Sequence, residues 1–327
     1  MSAGQPKLES LIESTMNINT CFLGDVRDGL RAMSAAGITA QCCITSPPYW
    51  ALRDYGVAGQ IGSEKTPEEF IETMVEVFDL VFEVLADDGV LWLNLGDSYD
   101  NNKGMHGIPW QVALALKNRD WILRQDIIWS KPNPMPESIR DRCTKSHEYI
   151  FMMTKNPRYY YDADAIKEPA IYFDDDRKGR AKDDHKSAPD AKRNGIRPVY
   201  KDARSYDGKN SGKQRGHGRR HAGFNDRWDA MDKTEQCSAM RNKRSVWTVA
   251  TQPYSEAHFA TFPEKLIAPM ILASSRPNDI VLDPFMGSGT VAHVAQRFGR
   301  QWTGCELNPE YIALQANRTR ETGFAFV

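Results

Sequence analysis

Short apolar runs alternate along most of the chain with segments in which apolar residues recur every three to four positions. Continuous apolar runs predict strands buried on both faces, and the three-to-four spacing predicts helices. The predicted strands lie at 21–25, 40–50, 90–99, 122–132, 148–155, 279–283 and 301–309. The predicted helices lie at 26–37, 66–89, 110–121, 262–275, 291–299 and 310–321.

The helix predicted at 66–89 has clear signals at both ends. Thr66 is a favourable N-cap, Pro67 suits the first helical position, and Gly89 suits the stop. Strands alternate with helices on both sides of an unusual middle segment, which predicts one doubly wound α/β sheet that is split in sequence. The predicted parts of the chain are 17–161, 162–245 and 246–327.

The middle segment, residues 162–245, is rich in Asp, Lys, Arg, Gly and Asn and has few aliphatic residues. Such a composition buries little apolar surface. Residues 171–245 carry 20 Lys and Arg against 12 Asp and Glu, although the whole chain has a net charge of −1. The segment is therefore either a surface for a polyanion or a solvated insertion.

Composition narrows the class of protein. Hydrophobic residues make up 41% and charged residues 26%, which is ordinary for a globular chain. No apolar stretch approaches the roughly 18 residues that span a bilayer, and the N-terminus lacks a signal-peptide pattern. The six cysteines show no C-x-x-C spacing, which predicts reduced thiols in a cytoplasm and no metal site.

A glycine-rich turn follows the strand that ends at Asp283. Gly287 and Gly289 would let the backbone approach a ligand at the carboxyl end of a parallel strand. The turn has neither the Gly-Lys-Ser/Thr of a phosphate loop nor G-x-G-x-x-G, which argues against a nucleotide triphosphate or a dinucleotide. Glu306, at the end of the next strand, suits a ribose, unless it is an ordinary strand-end acid. Together these features indicate a nucleoside-like cofactor such as S-adenosylmethionine (SAM).

Two prolines end the strand at 40–50, in the sequence Ser46-Pro47-Pro48-Tyr49. Proline has no backbone N–H, so this pair forms a stiff corner rather than extending a central strand. The Ser46 hydroxyl and the Pro47 carbonyl could accept both hydrogens of a nucleobase amine and make its nitrogen more nucleophilic. Tyr49 would give a flipped base an aromatic face for stacking. The alternative is a purely structural turn.

The stretches TSPPYW (45–50) and DPFMGSGT (283–290) resemble the catalytic and cofactor motifs of the amino-methylating DNA methyltransferases. The catalytic motif comes first and the basic segment lies between the two, which resembles the family's beta group. This resemblance implies a Rossmann-like SAM-dependent fold with a mixed, mostly parallel sheet and an inserted DNA-recognition region. It assigns Ser46, Pro47, Pro48 and Tyr49 to catalysis. It assigns Asp25, Phe262, Lys265, Asp283, Phe285, Gly287, Gly289 and Glu306 to the cofactor.

The first residue of the catalytic tetrapeptide bears on the target base. Ser46 resembles the cytosine-N4 enzymes, whereas Asp is the usual adenine form. Some members with Ser act on adenine, so N6-adenine methylation remains the alternative. Carbon-5 methylation needs a cysteine nucleophile, typically after proline, and no Pro-Cys pair occurs here.

The partner that follows from these motifs is double-stranded DNA. A proline-rich loop within 129–150 lies near the catalytic edge and would contact phosphates, unless it is a plain surface loop. The predicted DNA-binding residues are Trp50, Lys131, Arg140, Arg142, Lys145, Arg215, Arg219 and Arg220. His147-Glu148 has the composition of a general-base pair, but direct methyl transfer does not require an essential base.

We therefore predict a SAM-dependent DNA amino-methyltransferase that flips its target base. A restriction endonuclease would be a separate chain, and the oligomeric state, homodimer included, is left open. The rival hypotheses are an RNA methyltransferase and a nucleic-acid-binding regulator that keeps the fold without catalysis.

Overall fold

The computed structural model describes residues 17–54, 56–169, 240–252 and 262–320. The chain divides into two units, residues 1–166 with 242–327 and residues 167–241. The predicted insertion at 162–245 falls largely outside the described residues. From the second unit, two short strands are described, Glu168–Pro169 and Met240–Arg241, which pair in antiparallel fashion.

The described strands are β1 (Thr20–Leu23), β2 (Ala40–Thr45), β3 (Leu85–Leu95), β4 (Ile122–Ser130), β5 (His147–Thr154), β6 (Glu168–Pro169), β7 (Met240–Arg241), β8 (Val246–Thr248), β9 (Ile280–Asp283) and β10 (Gln301–Glu306). The described helices are α1 (Val26–Ala35), α2 (Pro67–Val84), α3 (Ile108–Lys117), α4 (Glu264–Ser274), α5 (Thr290–Arg297) and α6 (Pro309–Thr319), with a 3₁₀ turn at Asp164–Ile166. None of these helices is both long and apolar enough to cross a membrane.

Eight of these strands form one sheet in the order β1-β10-β9-β2-β3-β5-β4-β8. Strand β5 runs antiparallel to both of its neighbours, and every other pair in the sheet is parallel. The sheet is therefore mixed and mostly parallel, which confirms the fold class predicted from the sequence.

Two apolar layers cover the sheet because successive strand residues face opposite sides. Cys43 of β2 packs into the layer formed with α1, α2 and α3. Its neighbours Cys42 and Ile44 pack into the other layer, which includes α4 and α5. Strand β2 is buried along its whole length, as the continuous apolar run in the sequence predicts.

The helix predicted at 66–89 has the predicted start and a different end. The Thr66 side chain accepts a hydrogen bond at the N-cap and Pro67 opens the helix. The helix stops at Val84, however, and Leu85 already pairs with Ala40 in the sheet. Gly89 lies at an irregularity in β3 instead, so the glycine signal marks a shift of strand register. Strand β8, only three residues long, was too short for its periodicity to predict.

The strand ends that carry polar residues lie at one edge of the sheet. The carboxyl ends of β1, β2, β3, β4, β9 and β10 lie there because these strands run in one direction. The amino end of β5 lies at the same edge because β5 runs the opposite way. In open α/β sheets this edge is where ligands bind.

Candidate active site

A hydrogen-bonded cluster surrounds the proline corner that follows β2. The Tyr49 hydroxyl lies 3.2 Å from Ser46 Oγ and donates to Glu148 Oε2 at 2.7 Å. The Asn94 amide, near the end of β3, donates to Tyr49 Oη at 2.7 Å and to Glu148 Oε2 at 2.8 Å. Sequence reasoning did not assign Asn94, and it gave Glu148 no required role.

Lys131, at the end of β4, completes this cluster. Its ammonium group forms an ion pair with Glu148 and lies 4.3 Å from the centre of the Trp129 ring. The side chains of Lys131 and Glu148 are only 18% and 14% exposed. Lys131 is therefore held beside the proline corner, whereas the sequence analysis placed it among the phosphate contacts.

The ring of Tyr49 lies directly against the backbone of Gly96. A Cβ atom at Gly96 would come within 2.5 Å of Tyr49 Cε2, closer than real contacts allow. Glycine is thus required here by the close approach of an aromatic ring. The contacts of the hydroxyl with Ser46, Asn94 and Glu148, together with the backbone surface under the ring, hold Tyr49 in one orientation.

The glycine-rich turn is tied to the end of β10 by a carboxylate. Gly287 N donates to Glu306 Oε2 at 2.7 Å, and Asn308 N donates to Glu306 Oε1 at 2.8 Å. Burial raises the pKa of Glu306 above its ordinary range. Gly289, with φ of 80°, caps α5, and a Cβ there would also press on Gln315. At Gly289 the turn therefore leaves little room for a side chain.

Asp283 links the glycine turn to the proline corner. The Thr45 hydroxyl, one residue before Ser46, donates to Asp283 Oδ1 at 2.7 Å, and Phe285 N donates to the same oxygen at 3.0 Å. The side chain is almost completely buried, and burial raises its pKa to about 7. The sequence analysis assigned Asp283 to the cofactor, and the structure also shows it joining two strand ends.

Asp25 begins α1 and is engaged by a neighbouring cation. Its Oδ1 accepts from the backbone N and from Nε of Arg27, both at 2.8 Å. These bonds to Arg27 hold the pKa of Asp25 below its ordinary value. Asp25 still lines the cavity described next, so its carboxylate can face a ligand there.

One cavity of about 310 Å³ joins the proline corner to the glycine turn. This volume lies at the lower end of the range of small-molecule sites. The predicted site residues that line it are Asp25, Ser46, Pro47, Pro48, Tyr49, Lys131, Phe262, Asp283, Phe285, Gly287 and Glu306. Asn94 and Glu148 line it as well.

The structure places two predicted cofactor residues outside the lining of this cavity. Gly289 sits behind the turn at the start of α5. Lys265 lies in the first turn of α4 with an exposed side chain. Phe262, the other residue predicted from that segment, does line the cavity and packs near Trp129.

The predicted DNA-binding residues have varied surroundings. Trp50 donates to Glu64 O at 2.9 Å, Arg142 pairs with Glu137, and Lys145 donates to Asp97 O at 2.6 Å. Arg140 is exposed. Arg215, Arg219 and Arg220 lie outside the described residues.

Metal binding finds no support in the part of the chain that the structure describes. No group of three His, Cys, Asp or Glu side chains there is placed to hold an ion. The cavity instead combines a carboxylate, a glycine turn and apolar walls, with no cation at the turn among its lining residues. These residues fit a cofactor that has a ribose and an apolar portion but no phosphate, as SAM does.

Comparisons with known proteins show which family the chain resembles. The family model N6_N4_Mtase, described as DNA methylase, matches residues 40–318. The Type II methyltransferase M.Cfr9I of Citrobacter freundii is 38% identical over 93% of this chain and 88% of its own length.

Two solved structures share the fold. One is titled PvuII DNA methyltransferase (cytosine-N4-specific), with a TM-score of 0.60 and 17% identity over 95% of this chain and 89% of its own. The other is an M1.HpyAVI–SAM complex, with a TM-score of 0.53 and 15% identity over 92% of this chain and 99% of its own.

Proposed function

Because the chain belongs to the N6/N4 DNA methylase family, we propose that it methylates the N4 amine of a cytosine at a specific site in double-stranded DNA. That it is a SAM-dependent DNA methyltransferase follows from the family and its relatives. The choice of cytosine rests on one observation, the serine at position 46 of a corner that lines the same cavity as the glycine turn.

The residues that line the cavity have different roles in the proposed reaction. Glu306 and the backbone of the Gly287 turn suit the ribose and the amino-acid portion of the cofactor. Bound SAM supplies an electrophilic methyl group. Ser46 Oγ and the Pro47 carbonyl accept the hydrogens of the target amine, and the Tyr49 ring stacks on the flipped base. Catalysis then comes from orientation and fixed hydrogen-bond acceptors, without a covalent enzyme intermediate.

The surroundings of the 131–146 loop support a division among its basic residues. Lys131, Arg142 and Lys145 each have an internal acidic or carbonyl partner, which supports a role in shaping the loop. Arg140 is exposed and suits a phosphate contact. We assign the remaining phosphate contacts to the basic segment that contains Arg215, Arg219 and Arg220.

The relatives also support a proposal for the cellular setting. M.Cfr9I is named a Type II methyltransferase and comes from a bacterium. This supports a bacterial enzyme that acts on DNA in the cytoplasm and belongs to a restriction-modification system. No segment of the sequence suggested a nuclease, so the matching endonuclease would be a separate protein.

The test is to identify the product base. Unmethylated plasmid DNA is incubated with the protein and SAM, digested to nucleosides and resolved by mass spectrometry. We expect N4-methylcytosine, and the Ser46→Ala variant, prepared in parallel, should give little or none. N6-methyladenine as the product would overturn the choice of cytosine, and DNA without any methylated base would overturn the proposal as a whole.

A further inference from the structure

Glu148 lies at the centre of the catalytic cluster, although it is distant in sequence from both motifs. Its Oε2 accepts from the Tyr49 hydroxyl and the Asn94 amide, and its Oε1 pairs with Lys131. A carboxylate accepts hydrogen bonds and donates none. The hydrogens of Tyr49 and Lys131 therefore point towards Glu148, and the Asn94 amide donates to Ser46 Oγ at 3.3 Å as well as to Glu148.

This arrangement fixes the direction of the bond between the two hydroxyls. Tyr49 has one hydroxyl hydrogen, which it donates to Glu148. In the 3.2 Å contact between Tyr49 and Ser46, the hydrogen must then come from Ser46. The hydrogen of Ser46 is then committed to Tyr49 and one lone pair accepts from Asn94, which leaves Ser46 Oγ one further lone pair and no hydrogen for the cavity. Ser46 is thereby prepared to accept a hydrogen from the target amine.

We infer that Glu148 is a positioning residue for methyl transfer, which orients Ser46 as an acceptor and receives the proton that the amine loses. The inference rests on the proposed function. When the amine nitrogen bonds to the methyl carbon and the methyl–sulfur bond breaks, the nitrogen becomes cationic. The nitrogen's proton passes to Ser46 Oγ, the Ser46 proton to Tyr49 Oη, and the Tyr49 proton to Glu148. The methylated base is then neutral, and Glu148 is a neutral carboxylic acid.

Glu148 can accept this proton although a carboxylate is a weak base. The methylated amine is a strong acid, because its nitrogen carries four bonds and a positive charge. Two cations face the carboxylate from outside its own strand, Lys131 at the end of β4 and Lys145 in the loop before β5. Tyr49 faces it from the proline corner, and His147 adjoins it in β5. The two lysines therefore place positive charge beside the carboxylate.

The kinetic test uses two variants that keep the shape of the cluster. Glu148→Gln removes the charge, and Tyr49→Phe keeps the stacking face but removes the relaying hydroxyl. In single-turnover reactions we expect each to slow methyl transfer about 100-fold, the usual scale of acid–base effects. The Kd values for SAM and DNA should change less than threefold. Glu72→Gln, on an exposed position of α2, is the matched control and should leave the rate unchanged.

A second measurement needs neither SAM nor DNA. In protein labelled with ¹³C at the ζ-carbon of tyrosine, the resonance that is missing in Tyr49→Phe belongs to Tyr49. We expect that resonance to move in Glu148→Gln, because the hydroxyl loses its charged acceptor, and to stay in place in Glu72→Gln. A rate in Tyr49→Phe within threefold of the wild type would overturn the relay. An unchanged Tyr49 resonance in Glu148→Gln would overturn the contact on which the inference rests.

These outcomes are separate from the choice of target base. The rates count methyl groups transferred, so they test the role of Glu148 equally if the product is N6-methyladenine. Loss of SAM binding in Glu148→Gln together with the loss of rate would mean a structural role and would overturn the inference.

Discussion

Gly96→Ala is the sharpest test of how the aromatic face of the active site is held. The added Cβ would lie 2.5 Å from Tyr49 Cε2 and 2.8 Å from Cδ2, whereas ordinary contacts begin at 3.4 Å. The φ of Gly96 is not in the left-handed region, so alanine brings no backbone strain. The ring must therefore move by about 0.9 Å, because the added Cβ is fixed to the backbone directly after β3.

This movement would break the bonds at the Tyr49 hydroxyl. Its two bonds to Asn94 and Glu148 are both 2.7 Å long, so a displacement near 1 Å takes them out of range. A misplacement of 1 Å near reacting groups costs about 100-fold in rate, or about 2.7 kcal/mol in the transition state. We expect kcat to fall by about this factor. The Kd for SAM should stay unchanged, because Gly96 is not among the residues that line the cavity.

The assay is transfer of tritiated methyl from SAM to plasmid DNA, with thermal unfolding to verify the fold. Gly104→Ala is the control, because its Cβ would meet only the flexible carboxylate of Asp100. A double-mutant cycle isolates the ring contact, since Gly96→Ala in a Tyr49→Ala background should have almost no further effect. The reasoning is wrong if Gly96→Ala keeps kcat within threefold of the wild type, or if its cost persists without the ring.

Two further predictions concern the glycine turn. Asp283→Asn keeps an oxygen for the bonds from Thr45 and Phe285, but it does not titrate. Since the pKa of Asp283 is raised from 3.8 to about 7, its stabilising contribution is present at acid pH and lost as the pH rises to 7. The stability of the variant relative to the wild type should therefore increase by up to about 4 kcal/mol between pH 4 and pH 8. Urea unfolding at each pH measures this difference in unfolding free energy. A difference that does not change with pH would contradict the prediction. Glu306→Gln should weaken SAM binding about 10- to 100-fold, because hydrogen bonds to a charged acceptor contribute about 1.5–3 kcal/mol. Calorimetry without DNA measures this affinity. An unchanged affinity would show that Glu306 does not bind the cofactor.

Much of the fold could be predicted because local signals here agree with the tertiary structure. The helix cap at Thr66 and the buried strand that ends at Thr45 both appear where the sequence predicts them. The glycine turn after Asp283 follows a strand and precedes a helix, also as predicted. These features depend on neighbouring residues alone, since capping, periodicity and glycine conformations act over a few positions.

The end of α2 shows where local signals are insufficient. Gly89 is a plausible helix stop, and the acidic residues before it are common in helices or loops. The pairing of Leu85 with Ala40 draws the backbone into the sheet four residues earlier. Sheet pairing is a long-range contact, and it outweighed the local preference for continuing the helix.

By itself, the sequence determined that the proline corner and the glycine turn would share an edge of the sheet, because both follow strands of one α/β alternation. It did not determine that Glu148 would join them. An apolar period predicts a strand but not its direction, and only the pairing of β5 with β3 and β4 makes it antiparallel. That reversal brings the first residues of β5, rather than its last, to the active-site edge. Contacts formed by the packing of distant strands thus placed the carboxylate beside Tyr49, and no spacing within the chain specifies them.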